Sequence, residues 1–160
     1  MKYLKSLLVA SIAFVVAVVM ANPAAAVAAK FHSASGSVNN AGALVVSFDE
    51  RGLGNDNIDY TLTADATALY ACINGGGNHP KAANKEAFEG SVSGGGSFEP
   101  KNGRVVADLT AGPLLAPQFQ CPSGQKRVLA AVTYTHIVLT DTTNGTSTDV
   151  ADTSRVFFNV

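Results

Sequence analysis

The sequence predicts an all-β protein, and three observations point there. From Phe31 onward, turn-forming residues recur at intervals of about 8 to 14 residues, and 14 of the 15 glycines fall between Gly36 and Gly124. The stretches between them are rich in Val, Thr, Tyr and Phe, the β-branched and aromatic types that suit a pleated surface. No segment sustains a 3.6-residue apolar period with caps. Any helix after Lys30 is therefore expected to be short, a turn around Pro80 to Lys85.

Taken in order, Phe31 to Val38 is the first expected strand, stopped by the turn residues Asn39-Asn40-Ala41-Gly42. Leu44 to Glu50 is the second, followed by a loop from Arg51 to Asp56. Ile58 to Ala64 alternates apolar and polar residues, which sets Ile58, Tyr60 and Leu62 on one face. Thr67 to Ile73 follows, as a separate strand or as the same strand continued past a bulge at Asp65. Ala87 to Val92 and Ser97 to Glu99 are short candidates, and Arg104 to Thr110 is a stronger one. Arg127 to Thr140 is the longest, at 14 residues, and strict alternation puts His136 on the same face as Val132, Tyr134 and Val138. Ser147 to Asn159 closes the chain. Asn144-Gly145 is a dipeptide favoured in type I′ hairpins, so the last two segments are expected to pair antiparallel. Seven or eight such strands predict an antiparallel immunoglobulin-like β-sandwich, with a small closed barrel as the alternative.

The N-terminus reads as an address. No charge occurs in the 24 residues from Ser6 to Ala29. Lys2 and Lys5 precede the apolar run Ser6 to Met20, and the small-residue stretch Ala21 to Ala29, broken by Pro23, follows it. This is the three-part pattern of a secretory signal peptide. Residues 1–28 are read as that peptide and 29–160 as one domain. The uncharged run is also long enough for a membrane anchor, but Pro23 and the lack of a following basic cluster argue against one. Without Lys2 and Lys5 the chain keeps 9 basic and 12 acidic residues, a formal net of −3. That excludes nucleic-acid or membrane-surface binding driven by bulk positive charge. The expected setting is extracellular, with an extracellular ligand or protein as partner.

Cys72 and Cys121 are the only cysteines. An even count in an exported chain predicts one disulfide, while the lack of CxxC spacing makes a poor metal site. Cys121 lies in a Pro-rich stretch, Gly112 to Gly124, and no Trp lies between the two cysteines. The bond is therefore expected to pin that loop to the end of the strand carrying Cys72, away from the centre of the sandwich.

No catalytic constellation emerges. His32, His79 and His136 stand far apart, no G-x-S-x-G elbow or H-E-x-x-H pair occurs, and no metal site or cofactor is assigned. Asp49-Glu50, Asp56 and Asp59, and the group Asp141, Asn144 and Asp149, offer oxygen ligands for Ca²⁺, but the last spacing is not that of an EF-hand loop and solvated loop charges are the preferred reading of both. Asn144-Gly145-Thr146 matches a glycosylation sequon, though a hairpin turn accounts for the same residues. The most distinctive segment is YACINGGGNHPKAANK, Tyr70 to Lys85. Its glycines could present backbone N–H groups to an anion, yet Lys81 follows Pro80 and no Ser or Thr comes next, so it is no phosphate loop. The segment is expected to form a sharp surface loop. As a recognition loop it would display Asn74, Asn78, His79, Lys81, Asn84 and Lys85 on a frame set by Gly75, Gly76 and Gly77.

The pattern Y-x-C-x-N-G-G-G-N-x-P-x-A-x-N-K, with Cys121-Pro122 and Thr140 to Gly145 (TDTTNG), resembles small secreted β proteins of actinobacteria and some fungi. The resemblance implies export and a β fold; it transfers no activity and no functional residue. The expected function is a non-enzymatic binding or surface-interaction module. A secreted enzyme inhibitor presenting Gly112 to Gly124, or a small hydrolase using end loops, is the alternative.

Overall fold

A computed structural model describes residues 28–74 and 84–160. All of the signal-peptide reading but Ala28, and the core of the glycine-rich loop (Gly75, Gly76, Gly77, Asn78, His79 and Lys81), lie outside the described residues, as does most of the helical turn expected at Pro80 to Lys85. The described part is all β. Its strands are β1 (Lys30–Val38), β2 (Leu44–Arg51), β3 (Ile58–Asn74), β4 (Lys85–Phe98), β5 (Arg104–Ala111), β6 (Gln125–Asp141), β7 (Thr146–Val150) and β8 (Thr153–Val156).

The strands form two packed antiparallel sheets. One is ordered β1-β2-β5; the other is ordered β4-β3-β6-β7, with β8 also beside β6. This is the immunoglobulin-like sandwich, here with the fourth strand next to the third. Alternation explains the faces. Leu44, Val46 and Phe48 of β2, Ile58, Tyr60 and Leu62 of β3, and Val132, Tyr134, Ile137 and Leu139 of β6 meet in one core. Phe48 and Tyr60 pack with ring centroids 4.7 Å apart, and Phe98 stands edge-on to both. Burying each such side chain stabilises the fold by about 1.5–3 kcal/mol.

Four local expectations change. Ala87–Val92 and Ser97–Glu99 join through Gly94, Gly95 and Gly96 into the single strand β4. Gly94 and Gly96 face inward, and a Cβ on Gly94 would strike the Thr110 carbonyl of β5, so their bareness lets the sheets close at this edge. Second, Thr67–Ile73 does continue Ile58–Ala64 within the 17-residue β3, but the bulge is not at Asp65: the register shift at Thr63/Asp65 places the extra residue on β6. His136 sits there at φ +48°. That bulge inverts the alternation of β6, so His136 points out to solvent, off the face of Val132 and Tyr134, and Ile137 and Leu139 point in. Third, Ser147–Asn159 breaks at Ala151-Asp152 into β7 and β8. Fourth, β6 and β7 do pair antiparallel, but through the four-residue loop Thr142–Gly145, with left-handed φ only at Gly145. Asp141 Oδ1 accepts the Thr143 and Asn144 N–H groups, both at 2.8 Å, which selects this wider turn over type I′.

Candidate functional site

The long strands set up the site. β3 and β6 have 17 residues each, whereas β2 has 8, so the second sheet outruns the first. The segment between β5 and β6 roofs the projecting inner face. Three kinds of tie hold it. Cys72 at the end of β3 is bonded to Cys121, with S–S 2.03 Å and Cα–Cα 5.5 Å, placed as the sequence led one to expect. The Tyr70 hydroxyl donates to the Leu114 carbonyl at 2.8 Å. Arg127 Nη1 donates to the Ala116 and Phe119 carbonyls at 2.8 and 3.0 Å. The Phe119 ring stands edge-on to Phe88, and Gly90 leaves the space that Leu114 fills. Burial pushes the Tyr70 phenol up, against the opposing pull of the Arg127 charge, so it stays a hydrogen-bond donor.

This roof meets the described edges of the glycine-rich loop. Asn84 accepts from the Cys72 N–H at 3.0 Å through its backbone carbonyl, and Lys85 opens β4 and donates through Nζ to the Val160 carbonyl at 3.2 Å. Asn84, Lys85 and Glu86 face Gln118, Gln120 and Pro122 across a shallow cleft of about 530 Å³. Asn74 ends β3 at the same end. Of the residues proposed for recognition, Asn74, Asn84 and Lys85 are thus brought to this end. Leu115, Gln118 and Gln120 were not singled out from the sequence. Leu115 is 69% exposed on the held segment, and an apolar residue between prolines was the only available signal.

The acidic groups have other tasks. Asp49 lies between Arg51 and Arg104, with contacts of 2.8 Å to each. Hydrogen bonds from Arg104 and then Arg51 hold its carboxyl well below the ordinary range. Glu50 and Asp141 are both fully buried. Asp141 caps the hairpin and takes the Asn144 side-chain amide at 2.7 Å, which also occupies the sequon asparagine. Thr146 Oγ1 donates to Glu50 Oε1 at 3.3 Å. The Tyr60 hydroxyl lies close enough to influence the Glu50 carboxyl, yet neither it nor Glu50 Oε2 completes a well-aligned hydrogen bond among the described residues. Burial pushes the Glu50 carboxyl up, and the Asp141 charge adds to the rise. Among the described residues, no three His, Cys, Asp or Glu side chains are grouped to hold a metal. On the outer face, His136 Nδ1 donates to Asp65 Oδ2 at 3.1 Å, while Ser91 Oγ donates to Asp65 Oδ1. The serine therefore bonds the carboxylate and not the imidazole, which is not a relay that activates a nucleophile.

No family model, curated protein or solved structure matches the chain. No helix among the described residues is long and apolar enough to cross a membrane, and the disulfide fits an oxidising, extracellular setting.

Proposed function

We propose that this is an exported, non-enzymatic binding module that meets an extracellular ligand or protein with its disulfide-clamped end. One observation carries the reading. Leu115 projects from a segment whose flanking carbonyls, on Leu114 and Ala116, are held by Tyr70 and Arg127. A loop already ordered before contact loses little entropy on binding, and an exposed apolar side chain on a rigid frame is a natural anchor. Gln118, Gln120, Asn84 and Lys85 supply a polar rim. The signal-peptide pattern supports export. In the test, mature protein is immobilised and offered the producing cell's medium and wall fractions. Leu115→Asp is expected to lower retention of the captured component at least tenfold, while Val106→Asp, on the far face of the β1-β2-β5 sheet, leaves it unchanged. Equal retention by both variants refutes the reading.

The same run, Pro113 to Ala116, lies outside every strand and is tied down through its Leu114 and Ala116 carbonyls. That favours a second reading, in which the segment inhibits a serine protease with a deep apolar specificity pocket filled by Leu115. Leu115→Lys would then move inhibition to Lys/Arg-specific proteases. If neither variant nor parent inhibits any protease in a panel of both types, this reading falls.

A further inference from the structure

The opposite end of the sandwich carries a cleft of about 640 Å³, bounded by Arg51, Arg104 and the turns at 52–54 and 102–103. We propose that it binds a tetrahedral oxyanion, sulfate or phosphate, free or as an ester on an extracellular glycan.

The argument starts from register. Arg51 of β2 and Arg104 of β5 are directly opposed partners on the outer face. Like charges placed so are unfavourable unless something lies between them. Asp49 does: its two oxygens accept from Arg104 Nε and Nη2 at 2.8 and 3.0 Å, and from Arg51 Nη2 at 2.8 Å. One carboxylate neutralises one of two guanidinium charges, so a net positive charge remains. Asp49 engages the Nε/Nη2 side of each guanidinium, and neither Nη1 has an acceptor among the described residues. Two forks are thus locked in orientation by a carboxylate that is itself 9% exposed, while the guanidinium side chains stay half exposed. Guanidinium forks fixed in advance are the usual means of oxyanion recognition. The surroundings add charge. Lys101 borders the adjoining cleft on the Arg104 side, where Glu99 partly offsets it, and Lys30 borders the one on the Arg51 side. Gly52, Asn102 and Gly103 all take left-handed φ, at 80°, 54° and 72°, and Leu53 N–H donates to the Gly103 carbonyl, so the two turns that wall the cleft are bound to each other.

The test is an NMR titration of the mature chain with sodium sulfate, sodium phosphate and a sulfated disaccharide, at ionic strength matched with chloride. Saturable shifts are expected at the amides of 52–54 and 102–103 and at the Nε–H groups of Arg51 and Arg104. Arg51→Gln and Arg104→Gln should each weaken binding at least tenfold. Arg51→Lys, which keeps the charge and loses the fork, should weaken it by less. Lys126→Gln, an exposed lysine at the other end, should leave it unchanged. Tighter binding of the disaccharide than of inorganic sulfate identifies a glycan ester as the ligand; equal binding identifies the free anion. Shifts that do not saturate, that chloride reproduces, or that persist with equal affinity when both arginines are replaced in a chain of unchanged thermal stability overturn the proposal.

Discussion

Glu50 is fully buried, and burial raises its carboxyl above the ordinary Glu range. The folded chain therefore holds that proton more tightly than the unfolded chain does. Its contribution is complete below the unfolded value and declines as pH rises toward the raised one. Asp49 has the opposite sign: its carboxyl is depressed, so its contribution is present above the ordinary Asp value and is lost as pH falls toward the depressed one. Glu50→Gln should remove the decline on the alkaline side and leave the acid side intact, read from urea unfolding between pH 2 and 8. His136 makes a second prediction at this scale. It occupies a left-handed backbone, and its exposed pairing with Asp65 contributes little. His136→Gly should raise stability by about 1 kcal/mol, and His136→Val should lower it by at least as much, in the same unfolding assay.

At the scale of elements, glycines decide how closely the strands approach. A methyl group on Gly94 would collide with the Thr110 backbone of β5, which no rotamer change relieves. Gly94→Ala should cost about 2–3 kcal/mol, seen as a lower denaturation midpoint at unchanged slope. Gly54, with open space at its Cβ position, is the control, and Gly54→Ala should stay within about 0.5 kcal/mol of the parent. The three glycines of β4 also show why its continuity was hard to read: a glycine run resembles a turn when only local preference is considered. Here β3 pairs with β4 on every residue from Ile58 to Ala71, and that ladder overrides local preference.

Across the whole molecule, the longer sheet needs a cover that its shorter partner does not supply, and the tethered 112–124 segment is that cover. Its disulfide joins residues 49 apart. In the chain-entropy model such a loop is worth about 4 kcal/mol, against a typical total of about 5–15 kcal/mol. The Cys72→Ala, Cys121→Ala double variant should lose about that amount in a thermal or urea melt, and reduction of the parent should do the same. If the proposed function holds, it should also lose partner retention, because the frame that displays Leu115 loosens. The oxyanion cleft lies at the other end, so its sulfate affinity should not change in the folded double variant.

Some of this was legible in the residues alone. Asn39 accepts the Ala41 and Ala43 N–H groups with its own side chain, so that turn is encoded within five residues. The alternation of Ile58, Tyr60 and Leu62 and the pairing of the only two cysteines likewise need no distant information. Tertiary structure alone decided the rest. Which way His136 points depends on one extra residue in β6 opposite β3, and that is a property of register between distant strands. Arg51 and Arg104 become neighbours only because β2 and β5 pair, and Leu115 becomes a rigid projection only because Tyr70 and Arg127 reach its neighbours. Period and turn chemistry act over a few residues and are written in composition and order; juxtaposition is set by which strands bury which faces together, and no short stretch of chain carries that information.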